Sequence, residues 1–288
     1  MAEPGYTTKE LMAVCCAREI KDGEVVIVGI GLPMMGGLLA GRTTAKNASF
    51  VYEAGGVGAR SYRVPWSVAD TPTGENATCI EEMWRLLGDE QAGFVDRGCI
   101  GGAQIDRYGN LNSSCIIGNG SYEHPKVKLP GSGGANDIGS SCRETTIVIQ
   151  LLPGKFVERV DYITTVGHLT GPGSRERAGL SGKGPTAVIT QKGVFRFDEV
   201  TKEMYLASLF PGVTVDEVKE LVGWDLKISP DLKVEAPPTE EELAIMHQLD
   251  PKGLIMRAKV PLDDFEEFAQ MYETSYHLGR QNGKEGEA

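Results

Sequence analysis

The sequence predicts an α/β protein with an open, mostly parallel sheet flanked by helices and a short helical extension at its C-terminal end. Two patterns carry this prediction: short runs of β-branched residues alternate with amphipathic helical segments, and glycine clusters follow the apolar runs. Glycine accounts for 37 of 288 residues, nearly twice the usual share of about 7%. Because these glycines follow no fixed period, they indicate tight strand-to-loop turns or close approach of the backbone to a ligand.

The individual elements follow from local patterns. Thr7 and Glu10 form a capping box that begins a helix running to about residue 21, and Gly23 ends this helix. The next expected elements are a buried strand at 25–29, a helix at 34–42 and a strand at 50–52 that ends at Glu53. Further strands are expected near 94–95, 103–105, 145–151, 161–166, 186–190 and 194–197, with turns at 106–110 and 191–193 and a helix from Thr214 to about residue 222.

The composition changes once along the chain, at the proline- and acid-rich run 235–242. This change predicts an α/β domain at 1–235, followed at 236–288 by a linker and a helical extension with helices near 239–249 and 262–279. Apolar residues recur at helical spacing in the last helix, and its polar face is acidic. We therefore expect it to pack on its own domain or on a neighbouring subunit, and not on a membrane. The apolar residues are Leu262, Phe265, Phe268, Tyr272 and Tyr276.

Composition and motif content exclude several classes of protein. A net charge of −11 argues against nucleic-acid binding, which needs a basic face. The longest apolar runs fall far short of the ~20 residues that span a bilayer, and the first ten residues do not resemble a secretory signal, so we expect a cytoplasmic protein. The six cysteines are scattered and read as buried thiols. The four histidines lack metal-binding spacing, so no metal site is expected.

Glu53 is the most informative candidate for chemistry. It ends an apolar strand and is followed directly by Ala54, Gly55 and Gly56. Ligands of open α/β sheets bind outside the carboxyl ends of strands, so a carboxylate here is placed to act as a nucleophile or a base. Its position is equally compatible with capping a neighbouring helix or pairing with Arg60 or Arg63, and spacing alone leaves these alternatives open.

Three glycine-containing loops are further candidates. The run 131–136 is suited to an anion nest or an oxyanion hole, or is a plain turn; it matches neither a Walker loop nor the dinucleotide fingerprint. In the segment 101–113, Asp and Asn side chains satisfy local backbone groups. The loop 171–177 is basic, and its arginines could hold a phosphate or a carboxylate or could form an ion pair at a subunit contact.

Taken in order, these segments resemble the β subunits of family I CoA-transferases of the glutaconate type over about residues 5–255. The resemblance rests on several long blocks in register: YTTKELMAV, VVIVGIGLP, the strand ending in Glu53, GGAQIDRYGNLNSS, PGSGGAND, GPGSRERAGL and GVFRFDEVTKEMYLASLFPG. A member of the family has Glu-Ser-Gly where this chain has Glu53-Ala54-Gly55, so the local loop differs. The stretch after about residue 257 has no recognised counterpart.

The resemblance implies a mechanism and a set of site residues. It implies that Glu53 is the nucleophile, and that the amides of Gly133 and Gly134 stabilise the oxyanion. It also implies that a CoA thioester is the substrate, that no cofactor is bound permanently, and that an α subunit of similar fold is an obligatory partner in a higher oligomer of αβ units, with the active site at their interface. The residues expected to contact the substrate or CoA are Gly55, Gly56, Gly102, Gln104, Gly131, Ser132 and Asn136.

Other activities occur on the same scaffold. They include acyl-CoA hydrolases that open rings or cleave C–C bonds, and decarboxylases. The β subunits with these roles lack the strand-end glutamate, so Glu53 favours transfer. A more remote alternative is a non-catalytic ligand-sensing domain, but such regulators normally carry a DNA-binding helix-turn-helix, and this acidic chain has none.

Overall fold

The computed structural model describes residues 5–256 and 265–285. Its helices are α1 (Thr8–Glu19), α2 (Leu32–Ala40), α3 (Met83–Gln91), α4 (Ala135–Ser141), α5 (Ser174–Arg177), α6 (Val215–Lys219), α7 (Glu240–Leu249) and α8 (Phe265–Glu285). Its strands are β1 (Val25–Val28), β2 (Ser49–Val51), β3 (Gly56–Val57), β4 (Cys79–Ile80), β5 (Arg97–Ile100), β6 (Gln104–Asp106), β7 (Leu111–Asn112), β8 (Cys115–Ile116), β9 (Val127–Lys128), β10 (Glu144–Val148), β11 (Phe156–Val157), β12 (Gly184–Ile189), β13 (Gly193–Phe197), β14 (Met204–Leu209) and β15 (Lys227–Val234). A 3₁₀ turn covers Thr71–Gly74.

The chain divides into two compact units, Met1–Met83 with Pro238–Ala288, and Trp84–Pro237. In the first unit the strand order is β1-β2-β3-β4, with β1 and β2 parallel and the remaining pairs antiparallel. The predicted capping box begins α1: the Oγ1 of Thr7 accepts from the backbone N–H of Glu10, and the Glu10 carboxylate accepts from the N–H of Thr7. The proposed division into domains at 1–235 and 236–288 stays a prediction.

In the second unit the strand order is β15-β14-β13-β12-β10-β5. Strands β5, β10 and β12 are parallel, and β13 and β14 extend them as an antiparallel hairpin. Helix α4 contacts β5 and β12, and Gly98 leaves room for the side chain of Ile138. Small pairings, β11-β6-β7 and β8-β9, complete this unit. The predicted α/β class with a mostly parallel sheet flanked by helices is confirmed.

Two predicted strands were wrong. The strand expected at 94–95 begins at Arg97, because this guanidinium is buried by an ion pair with Glu144 on the neighbouring strand, with 2.7 Å between Nη2 and Oε2. Phe94, whose apolar side chain suggested the strand, is 68% exposed. The segment 161–166 makes a single bridge, between Thr165 and Leu111, and is otherwise not a strand. The N–H groups of Thr164 and Thr165 both donate to the Leu111 carbonyl, so no regular ladder forms.

The helical extension packs on the first unit, to which it belongs. The expected helix near 239–249 is α7, capped by Thr239. The expected helix at 262–279 is α8, which begins at Phe265 and continues to Glu285; residue 262 lies outside the described residues. The rings of Trp66 and Phe268 lie 5.2 Å apart, so one face of α8 contacts the chain's own N-terminal segment. Within the described residues, no helix has the combination of length and apolar character that crossing a membrane requires.

Buried His168 predicts a pH-dependent stability. Burial, together with the charges of Lys202 and Arg175, lowers the pKa of this imidazole to about 4, and its Nε2 lies 3.0 Å from the carbonyl oxygen of Pro185. Because the folded-state pKa lies below the unfolded value of about 6.5, the unfolded chain takes up a proton first as the pH falls. This contribution is complete above pH 6.5. We expect it to fall by about 2 kcal/mol as the pH approaches about 4.5.

The measurement is the free energy of unfolding by urea against pH, for the wild type and for His168→Asn. Only the difference in slope between the two curves is diagnostic, because the substitution also changes packing against Phe197. Parallel curves over this range would show that His168 does not titrate differently in the folded and unfolded chains.

Candidate active site

Glu53 lies in a tight turn that joins β2 to β3. The carbonyl of Tyr52 accepts from the N–H of Gly55 at 2.7 Å, and the N–H of Tyr52 donates to the carbonyl of Gly56 at 2.9 Å. Glu53 and Ala54 therefore occupy the two central positions of a hydrogen-bonded β-turn. The Tyr52 ring is fully buried, whereas Glu53 is half-buried. The turn thus presents the Glu53 carboxylate at the end of β2 on a backbone that two hydrogen bonds hold in place.

Gly55 and Gly56 are required by the packing of the chain on itself. Gly55 has a φ of +111°, and a Cβ there would collide with the carbonyl oxygen of Glu81. A Cβ at Gly56 would collide with the carbonyl oxygen of Thr73. Backbone from 73 and 81 therefore lies against the Glu53 turn on two sides. A substrate contact by these two glycines stays a prediction.

Tyr52, Arg42 and Ser61 form the polar surroundings of the turn inside the first unit. Burial raises the pKa of the Tyr52 phenol to about 12, partly offset by a hydrogen bond with Ser61 and the charge of Arg42. Burial lowers the pKa of the Arg42 guanidinium, which donates to the carbonyls of Leu38 and Ser61. Tyr52 therefore stays a neutral phenol at physiological pH, so Glu53 brings the negative charge of this turn.

The two cations considered as partners of Glu53 have other partners. Arg63 is 1% exposed and forms an ion pair with Asp70, with 3.1 Å between Nη1 and Oδ2. Arg60 is exposed and donates to the carbonyl of Lys46 at 3.4 Å. These bonds leave a nucleophilic or basic role for the Glu53 carboxylate open.

In the second unit, the glycine-rich run 131–134 leads into α4. The N–H of Gly131 donates to the carbonyl of Ser113 at 2.8 Å, and Gly134 is the residue before the helix. Ser132 holds the first turn of the helix: its carbonyl accepts from Ala135, and its Oγ accepts from the N–H of Asn136 at 3.2 Å. Gly133 is exposed. The run is therefore an ordered entry to α4, and its predicted roles in oxyanion and CoA binding stay predictions.

The segment around Gln104 is a buried polar network. The side-chain oxygen of Gln104 accepts from the Nδ2 of Asn112 at 2.8 Å. Asp106 accepts from the N–H groups of Tyr108 and Asn110 and from the Asn110 side chain. Burial raises the pKa of the Asp106 carboxyl, although these hydrogen bonds oppose the shift. Asp106 and Asn110 therefore satisfy local groups in their turn, as predicted. CoA contacts by Gln104 and by Gly102, which packs on Leu111, stay predictions.

The basic loop around 171–177 uses its buried arginine for structure. The Nη1 and Nη2 of Arg175 donate to the carbonyls of Gly139, Gly167 and Ser181 at 2.8 to 3.2 Å. Burial lowers the pKa of this guanidinium. Arg175 therefore joins three segments of the second unit. Its described donors go to backbone carbonyls, not to an anion.

The structure divides the expected site residues between the two units. Glu53, Gly55 and Gly56 belong to the first unit, and Gly102, Gln104, Gly131, Ser132, Gly133, Gly134 and Asn136 belong to the second. Among residues 5–256 and 265–285, no group of three or more His, Cys, Asp or Glu side chains is arranged to hold a metal ion. Sequence reasoning missed Thr73 and Glu81, which support the Glu53 turn through their backbone carbonyls. No sequence signal marks such contacts, because any residue can supply a carbonyl.

Comparisons with known proteins agree on one family. A family model described as Coenzyme A transferase matches residues 9–221. The chain is 41% identical over 252 residues to the B-type subunit of glutaconate CoA-transferase from Acidaminococcus fermentans, covering 85% of this chain and 93% of that protein. It is 39% identical over 248 residues to the B-type subunit of 3-oxoadipate CoA-transferase from Pseudomonas knackmussii, covering 85% and 94%. The crystal structure of the Acidaminococcus fermentans glutaconate enzyme matches with a TM-score of 0.81 and 38% identity, over 88% of this chain and 99% of that chain.

Proposed function

This chain belongs to the coenzyme A transferase family, and we propose that it is the B-type subunit of a two-subunit enzyme in which Glu53 carries CoA between an acyl-CoA and a carboxylate. The observation that carries the assignment of Glu53 is its place in the fold: a carboxylate in the middle of a constrained turn at the end of β2. The relatives at 41% and 39% identity are named as CoA-transferases. This favours transfer over ring-opening hydrolysis, C–C cleavage and decarboxylation.

The proposed reaction proceeds through covalent intermediates on Glu53. The carboxylate attacks the thioester carbonyl, the C–S bond breaks, and a mixed anhydride and CoA thiolate result. The thiolate then attacks the glutamyl carbonyl, which forms a glutamyl-CoA thioester and releases the first carboxylic acid as its anion. The acceptor carboxylate reverses these two steps and leaves as the new acyl-CoA. No proton needs to be transferred in these steps, so the Glu53 carboxylate can react without the help of a general base.

Each attack passes through a tetrahedral intermediate that needs hydrogen-bond donors for its oxyanion. We assign this role to the backbone amides near Gly133 and Gly134, next to the start of α4. Contacts with CoA or the acyl group are assigned to Gly55, Gly56, Gly102, Gln104, Gly131, Ser132 and Asn136. The CoA moiety can supply binding energy remote from the thioester, which offsets the cost of distortion there.

The proposed enzyme needs an α-type partner. The chain covers 93% and 94% of two relatives that are each named as a B-type subunit, so it corresponds to one subunit of a two-subunit enzyme. We propose that the partner is obligatory, that the αβ units form a higher oligomer, and that no cofactor is bound permanently. A cytoplasmic location is part of the same proposal and rests on the sequence.

The decisive experiment looks for CoA on Glu53. The αβ complex is incubated with an acyl-CoA in the absence of acceptor acid, digested, and analysed by mass spectrometry for the peptide that contains residues 50–60. We expect a CoA adduct on Glu53. A glutamyl thioester is a more reactive carbonyl than an amide, so borohydride should reduce it and hydroxylamine should trap it. Testing a panel of acyl-CoAs identifies which acids the enzyme exchanges.

The competing hydrolase activity gives a different result. A general base would activate water, so no adduct would form and the thioester would be lost steadily without acceptor. Undiminished exchange alongside an unmodified peptide would assign the nucleophile to another residue. Addition of the acceptor acid is the internal control, because it should discharge the adduct.

A further inference from the structure

We propose that Asp70 and Tyr272 are positioning residues for Glu53, so that helix α8 helps to place the carboxylate for attack. This inference rests on the proposed function, since it concerns the rate at which Glu53 attacks the thioester. It assigns a role in catalysis to the extension after residue 257, for which the sequence indicated none. All the contacts that support it lie within the first unit.

Asp70 is the central group of these contacts. Its carboxylate accepts from both terminal nitrogens of Arg63, at 3.1 and 3.2 Å, and from the backbone N–H of Trp66 at 2.9 Å. The phenol of Tyr272 on α8 donates to the same carboxylate. The side chains of Arg63 and Asp70 are 1% and 5% exposed. Water therefore competes little with these hydrogen bonds, which strengthens them relative to surface bonds.

Aromatic packing fixes α8 on the same segment. The guanidinium of Arg63 lies 4.5 Å from the centroid of the Tyr272 ring and 5.4 Å from that of Tyr276. Phe268, one turn earlier on the helix, packs on Trp66. Gly279 lies so close to Arg63 that a Cβ would come within 2.7 Å of the arginine Cβ. One face of α8 thus holds the segment 63–70 through Arg63, Trp66 and Asp70.

The backbone continues this support from Asp70 to the Glu53 turn. The carbonyl of Asp70 accepts from the N–H of Thr73 at 2.9 Å and from its Oγ1 at 2.7 Å. The carbonyl of Thr73 in turn lies directly against Gly56. The carbonyl of Gly56 accepts from the N–H of Tyr52, the residue before Glu53. Every step is a hydrogen bond or a backbone contact, and no flexible side chain lies between Thr73 and Gly56 to absorb a displacement.

A shift of the segment 63–73 therefore moves the turn that carries the nucleophile. Misplacement of a reacting group by about 1 Å can cost on the order of a hundredfold in rate. Loss of one buried, charge-assisted hydrogen bond allows a smaller shift, so we expect Tyr272→Phe to slow CoA loading about tenfold. Binding of CoA itself should change little, because no CoA contact is assigned to α8 or to Asp70.

The test measures the single-turnover rate of adduct formation on Glu53 in the assembled complex, together with kcat and KM. For Tyr272→Phe we expect loading and kcat to fall about tenfold, while KM for acyl-CoA and the yield of complex stay within about twofold. Tyr276→Phe is the matched control on the same helix. It keeps the ring over Arg63 and removes only the hydrogen bond from Arg280 within α8, so its rates should equal those of the wild type.

Asp70→Asn keeps the size of the side chain and provides a second test, with a decrease in loading at least as large as that of Tyr272→Phe. Loading at the wild-type rate in Tyr272→Phe overturns the inference, whatever happens to thermal stability. A fall in KM and kcat shared equally by the Tyr276→Phe control also overturns it. If the wild-type complex forms no adduct on Glu53, the proposed function fails first. Equal loading of wild type and variant leaves the proposed function intact.

Discussion

Glu53→Gln in the assembled complex is expected to lower CoA exchange by at least about a thousandfold, because the amide lacks the nucleophilic oxyanion and catalytic nucleophiles contribute factors of this size or more. The turn is held by its backbone hydrogen bonds and by Gly55 and Gly56, so the substitution should leave folding and assembly unchanged. The measurement is the rate of acyl-CoA formation from acceptor acid, with assembly followed by size-exclusion chromatography.

A graded series separates nucleophilic catalysis from a loss of charge. Glu53→Asp keeps the carboxylate but shortens its reach by one methylene, and should retain a measurable rate about a hundredfold below the wild type. Glu241→Gln removes one negative charge from the exposed first turn of α7 and should have no effect. Comparable activity of Glu53→Gln and Glu53→Asp would contradict a nucleophilic role, since only one of the two retains a carboxylate.

The second large effect is the dependence on a partner: the purified chain alone is expected to show no exchange. The relatives it covers almost fully are single subunits of two-subunit enzymes. Its second unit also exposes apolar surface, where Tyr122 and Tyr162 stack with ring centroids 5.3 Å apart while 58% and 40% exposed. Aromatic surface of this kind is typical of protein interfaces.

The measurement titrates the chain with an α-type partner and follows exchange. Activity should appear in proportion to the complex and saturate at equal amounts of the two chains. Full turnover by the isolated chain would sink the idea that the partner is obligatory. Glu53→Gln mixed with the same partner is the control, because it should assemble and stay inactive.

The sequence by itself determined the family, the α/β class and the candidate nucleophile. These properties depend on local patterns: the capping boxes at Thr7, Thr214 and Thr239, the β-branched run at 25–28, and a glutamate followed by glycines at a strand end. Each pattern acts through residues close together in the chain, so it can be recognised before the chain is folded.

The tertiary structure alone decided which polar groups are buried and what supports the Glu53 turn. Arg97 begins a central strand because Glu144, 47 residues away, neutralises it. Asp70 meets Tyr272 across 202 residues, and Thr73 meets Gly56 through a backbone carbonyl that every residue possesses. Burial of a charge depends on a partner brought close only by folding, and backbone contacts carry no side-chain signature. For these physical reasons, the residues that position the nucleophile could not be predicted from the sequence, although the nucleophile could.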